Sequence, residues 1–169
     1  HIFMHGNFGH LLFNMYALWM FGSILEQLWG SKKFMLYYLV TGLGAAALHM
    51  GVQWIEASSL VREINENGME AMEALTRYRM LMSTPTVGAS GAVYGILLAY
   101  GMLFPNNELR IIFLPIALKA KYFVIIFAVI ELILGITGGG NIAHFAHLGG
   151  MIFGFILVRY WKKKNRLYY

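Results

Sequence analysis

The sequence predicts an all-α membrane protein, a polytopic helical bundle. Two observations carry that class. The 169 residues are 59% hydrophobic and only 12% charged, against about 25% charged in soluble domains. The apolar residues also fall in runs of spanning length, separated by polar or basic connections. The 19 glycines and 11 methionines fit close helix packing in lipid. With no cysteine, disulfides, thiolate chemistry and cysteine metal sites are excluded.

A helix needs about 20 apolar residues to cross the hydrocarbon core. Five spans are predicted, at Phe8 to Leu28, Phe34 to Trp54, Thr86 to Phe104, Tyr122 to Ile136 and Ile142 to Trp161. Gly30 and Ser31 read as a helix stop followed by a cap. Before the fourth span, Ile111 to Ile116 is apolar, but Pro115, Lys119 and Lys121 suggest a bent or interfacial entry. The whole chain, 1–169, reads as one membrane domain. It opens at His1 without methionine or signal peptide, so it reads as a fragment whose N-terminal part is missing.

Charge placement orients the bundle. By parity, Lys32, Lys33, Arg110, Lys119, Lys121 and the tail residues Arg159, Lys162, Lys163, Lys164 and Arg166 share one side, while the other has Arg62, Arg77 and Arg79. The positive-inside rule makes the first side cytoplasmic. The net charge of +5 therefore reads as a membrane anchor rather than a nucleic-acid surface. The polar segment at about 55–85 is then outside. Met69, Met72, Leu75, Tyr78 and Met82 recur there at helical spacing beside charged residues, as in an amphipathic helix on the interface. A solvated connector fits equally.

The first, third and fifth spans run in one direction, so their N-terminal ends share a depth. Each of those ends is polar: His5, His10 and Asn14 on the first, Ser90 on the third, His144 and His147 on the fifth. Intramembrane polar residues are costly and face the bundle interior or a water-filled cavity. His10 and Asn14 share a helix face, as do Ser90 and Tyr94. Gly91 and Gly95 make a smooth strip below Ser90, and Gly150 and Gly154 make another below His147. Helices meeting along these strips could bring an imidazole to a serine hydroxyl. Taken singly, each piece is as well explained by packing or by a bond between helices.

Gly88-Ala89-Ser90-Gly91, preceded by His5, His10 and Asn14 and followed by Ala146-His147 with Gly150 and Gly154, resembles the signature of the rhomboid intramembrane serine proteases. The motifs stand in the family's order, and Glu26 with Gly30 matches a further recurrent pattern. The resemblance covers essentially the whole chain. It implies a six-helix core of which five spans are present, the first span and most of the first outer loop being absent.

The resemblance further implies a serine endopeptidase, with no cofactor, that cuts transmembrane segments of membrane proteins near their extracytoplasmic end. Ser90 and His147 would form a Ser-His dyad. His10, Asn14 and the Ser90 backbone N–H would form the oxyanion hole, and Tyr94 would stack on His147. Supporting places fall to His5, Gly88, Gly91, Gly150 and Gly154. No third triad member is expected, because Glu26 and Glu131 are placed away from the motif ends, and His144 is given no catalytic duty. Gly138-Gly139-Gly140 is a candidate mobile cap, and His49 and Gln53 are candidates for a water route. The bacterial cytoplasmic membrane, with the C-terminus cytoplasmic, is the expected location.

Two other readings compete. One is a metal-dependent hydrolase using His5, His10, His144 and His147, against which stand the lack of H-E-x-x-H and of a carboxylate at that depth. The other is a catalytically inactive rhomboid-like protein that binds membrane helices.

Overall fold

A computed structural model describes residues 8–68, 71–83, 89–110, 117–137 and 143–164. Six helices follow one another: α1 (Phe8–Trp29), α2 (Ser31–Asn67), α3 (Met72–Ser83), α4 (Ala89–Leu103), α5 (Ala120–Ile136) and α6 (Ala143–Lys163). The fold is an all-α helical bundle. The one non-helical element among the described residues is an antiparallel hairpin, β1 (Glu108–Arg110) with β2 (Ala117–Lys119), which pairs Leu109 with Leu118 and leads into α5. Each of the five predicted spans falls on a helix. By length and apolarity alone, Phe8–Trp29 and Ser31–Glu66 qualify as membrane-crossing, and Ala89–Leu103 is a shorter apolar helix.

The glycine at position 30 separates the first two helices. Its φ of 75° is left-handed, where a side chain would be strained, and its N–H closes α1 on the Glu26 carbonyl at 2.7 Å. One residue later the chain is helical again. Within α1, Leu18–Gly22 forms a π-turn.

Helices α2, α4 and α6 pack on one another as the centre of the bundle, with α1 against α4 and α2, and α5 against α6 and α4. Small residues let the central three approach. A Cβ on Gly150 would meet the Gly91 backbone, with its carbonyl carbon at 2.6 Å. One on Gly95 would meet Thr41 Cβ at 2.7 Å, and one on Gly149 would meet Ala45 Cα and the Gly44 carbonyl at 3.0 Å. Gly150 of the strip predicted on α6 thus faces Gly91 and Gly95 of α4, while Gly154 turns to α2, which closes the seam as a third wall. Tyr37 on α2 donates its hydroxyl to the Gly95 carbonyl at 2.8 Å. At the other end, Trp29, Tyr37 and Trp161 cluster, with the Trp29 and Trp161 centroids 5.2 Å apart and edge-on. The outer helices keep large apolar side chains on their far faces, among them Phe13, Trp19, Ile125, Ile133 and Ile136. That pattern suits lipid as solvent.

The segment at 55–85 is helical over most of its described residues. Helix α2 does not stop near Trp54 but continues to Asn67; its 37 residues span about 55 Å, well beyond a hydrocarbon core of about 30 Å. Helix α3 buries Ala74 and Leu81, continued from Ala71, against Leu60 of α2, with Tyr78 of the expected apolar face half-buried beside them. Met72 and Met82 of the predicted apolar face are exposed; Met69 lies outside the described residues. A small core inside the helical hairpin determines which face of α3 turns toward α2. Gln53 belongs to that hairpin, donating to the Leu81 carbonyl at 3.1 Å.

Candidate active site

Ser90 occupies the first turn of α4, where a backbone N–H has no partner within its helix. Its side chain is buried, and His147 Nε2 on α6 lies 2.8 Å from its Oγ. The glycine seam explains this reach. Gly91 follows the serine, Gly150 sits one turn after the histidine, and their backbones touch where any Cβ would intrude.

The histidine ring is held on its face as well. Tyr94, one turn below Ser90, stacks on it with centroids 4.1 Å apart and planes 4° from parallel. The Tyr94 hydroxyl does not point away into the bundle. It donates to Glu131 Oε1 at 2.5 Å.

Glu131 is the principal correction to the sequence reading, which set it apart from the motif ends. It is buried on α5, and its second oxygen, Oε2, lies 2.6 Å from His144 Nδ1 and 3.0 Å from His147 Nδ1. A carboxylate therefore does stand at the depth of the serine. Gly135, one turn on, lets α6 pack close, a Cβ there meeting Phe145 at 3.2 Å and His144 Cβ at 3.5 Å. His144 is accordingly a partner of this carboxylate, although it does not touch Ser90. One signal was present in the sequence: Glu131 is a lone acid in an otherwise apolar helix, and such residues are costly enough to mark function.

The donor atoms of Glu131, His144 and His147 lie within 4.8 Å of one another, which raises the metal reading again. Their spacing argues for protons instead. Two ligands of a tetrahedral zinc at about 2.0–2.2 Å stand roughly 3.3 Å apart, whereas Oε2 approaches the two imidazole nitrogens to 2.6 and 3.0 Å. These are hydrogen-bond and ion-pair distances. His10, the other described histidine of the metal reading, is not part of this group.

Asn14 is buried on α1, which packs against α4, and its Nδ2 has no hydrogen-bond partner among the described residues. A buried amide left with an open donor fits a site that takes up an oxygen from elsewhere. His10 lies one turn before it, half-buried. Gly154 faces α2, where a Cβ would meet the Tyr37 hydroxyl and Thr41 Cγ2. His49 is buried on α2. His5, Gly88 and Gly138-Gly139-Gly140 lie outside the described residues.

The family model described as "Rhomboid domain" matches residues 1–164. The chain belongs to the rhomboid family. Among curated relatives of this rhomboid protein, the human presenilin-associated rhomboid-like protein, mitochondrial, is 32% identical over 177 residues, covering 98% of the chain and 39% of the relative. Rhomboid protein 1, mitochondrial, of Saccharomyces cerevisiae is 26% identical, covering 95% of the chain and 40% of the relative. RHOMBOID-like protein 4 of Arabidopsis thaliana is 30% identical, covering 91% and 31%. The chain thus spans about two fifths of the first two relatives and less of the third. No solved structure matches it significantly. A rhomboid-like membrane protein is what these findings establish. The bacterial cytoplasmic membrane expected above is not where the relatives' names point, since the vertebrate and yeast proteins are named mitochondrial.

Proposed function

We propose that this rhomboid protein is an intramembrane serine endopeptidase working through Ser90 and His147. The single observation that carries the reading is the 2.8 Å contact between His147 Nε2 and Ser90 Oγ across the α4–α6 seam. A buried serine within bonding reach of a neutral imidazole is an activatable nucleophile. As Oγ attacks a peptide carbonyl, its proton passes to Nε2, and the same proton is later given to the leaving amine. The oxyanion falls to the Ser90 N–H with the side chains of Asn14 and His10; the open Asn14 Nδ2 supports its part in this.

The substrate class is a membrane protein's transmembrane segment. Such a segment must unwind locally before its carbonyl can be attacked, since a helix keeps its backbone hydrogen-bonded. Helix-breaking residues near the scissile bond are thus favoured. We orient the bundle by its charges, with the basic loops and C-terminus on the membrane's more negative face and the Ser90 end opposite.

The test uses the full-length protein reconstituted with a model transmembrane substrate, comparing wild type with Ser90→Ala and His147→Ala. Cleavage and fluorophosphonate labelling by wild type alone are expected. Equal cleavage by all three would overturn the dyad, and no cleavage or labelling by any would favour an inactive, helix-binding rhomboid-like protein.

A further inference from the structure

We propose that Glu131 is a positioning residue of the reaction, a third member beside Ser90 and His147 that fixes the tautomer and orientation of the His147 ring. The inference rests on the Ser90–His147 reading and extends it to α5.

For Nε2 of His147 to accept from the serine hydroxyl, the neutral ring must carry its own hydrogen on Nδ1. That Nδ1 is shielded from solvent and has no hydrogen-bond partner of good geometry among the described residues. A buried N–H left unsatisfied is unfavourable, so the productive tautomer needs an acceptor. Glu131 Oε2 lies 3.0 Å away, within ion-pair distance though off the line of a good bond. Catalytic hydrogen bonds are often misaligned without substrate and tighten when it binds.

The other contacts of Glu131 serve the same ring. Oε1 accepts from the Tyr94 hydroxyl at 2.5 Å, and Tyr94 is the platform stacked on His147. One carboxylate therefore holds the histidine at its edge directly and at its face through the tyrosine. When the serine proton reaches Nε2 the ring becomes a cation, and the carboxylate beside Nδ1 stabilises it. Glu131 stays ionised throughout and transfers no proton. His144 also reaches Oε2, at 2.6 Å, and shares that oxygen with His147.

Replacing Glu131 by glutamine reverses this logic. Three donors face the group, while an amide offers one acceptor and presents its own N–H. An amide N–H facing His147 Nδ1 selects the tautomer with its hydrogen on Nε2, which cannot take the serine proton. The corresponding loss in a soluble Ser-His-Asp enzyme is about 10⁴-fold in kcat.

The test measures cleavage and the rate of fluorophosphonate labelling of Ser90 in the full-length protein. For Glu131→Gln we expect kcat lower by about 10²- to 10⁴-fold, KM within about twofold and labelling slowed in parallel. Glu131→Asp should recover about tenfold or more over the amide, because it restores the charge. His144→Ala, which leaves Oε2 to His147, should label at least as fast as wild type. A Glu131→Gln variant that labels within about threefold of wild type, while Ser90→Ala and His147→Ala abolish cleavage, would overturn the role of Glu131 and leave the dyad standing. His144→Ala as slow as Glu131→Gln would also overturn it, showing that the carboxylate serves α5–α6 packing. Should Glu131→Gln fail to fold, His144→Ala decides alone: labelling at or above the wild-type rate supports the role of Glu131, and labelling slowed by about 10²-fold or more overturns it. Cleavage surviving in Ser90→Ala would instead remove the underlying reading.

Discussion

Gly150→Ala tests whether the glycine seam sets the chemistry. A Cβ on Gly150 would stand 2.6 Å from the Gly91 carbonyl carbon and nearer still to its oxygen, where ordinary contact begins at 3.4 Å. The obstacle is backbone on both sides, so no side chain can swing away. Helices α4 and α6 must separate by about 1 Å at this level, one turn from His147 and one residue from Ser90. Added to the 2.8 Å between Nε2 and Oγ, that shift gives a distance of about 3.8 Å, outside the hydrogen-bonding range of about 2.7–3.2 Å. Losing general-base assistance costs about 10²- to 10⁴-fold, so labelling of Ser90 should slow by at least about 10²-fold. Gly51→Ala is the control, since a Cβ there meets nothing within 4 Å. It should leave labelling unchanged and stabilise α2 by about 0.5–1 kcal/mol. The assay is the fluorophosphonate labelling rate in detergent, alongside thermal unfolding of each variant. Wild-type labelling by a folded Gly150→Ala would refute the claim that the seam sets the dyad distance.

Asn14→Ala should lower kcat by about 10²- to 10³-fold with little change in KM, as for other lost oxyanion donors; a change confined to KM would assign Asn14 to substrate binding. A chelator should leave cleavage intact while a fluorophosphonate abolishes it; the opposite pattern would restore the metal reading of Glu131, His144 and His147. Tyr37→Phe removes a buried hydroxyl from the Gly95 carbonyl and should cost about 1–3 kcal/mol in reversible unfolding, because the carbonyl loses its side-chain partner. Leu81→Ala, in the small core of the α2–α3 hairpin, should increase proteolytic nicking of that hairpin while Ser90 labelling persists. Loss of labelling would show that the hairpin supports the site.

Much of the bundle was legible because its determinants lie close together in the chain. Apolar runs gave the spans, and three- and four-residue spacing put Ser90 over Tyr94 and placed glycines below Ser90 and His147. Side chains that share a helix face must do so whatever surrounds them. The extension of α2 to Asn67 was not legible, since the polar residues after Trp54 are equally at home in a helix or a connector. Nor was the buried strip of α3, which depends on Leu60 of α2 being there to receive it.

Glu131 marks the boundary most clearly. The sequence by itself determined that an isolated acid lies in an apolar helix, and that a serine and a histidine head two others. Only the tertiary structure decided that the acid turns toward the histidine, with Oε2 3.0 Å from Nδ1. Periodicity tells which residues share a face of one helix, but not how far that helix is rotated about its axis against the next. That rotation follows from packing, here from Gly91 against Gly150, from α2 closing the seam, and from Gly135 under Phe145 and His144.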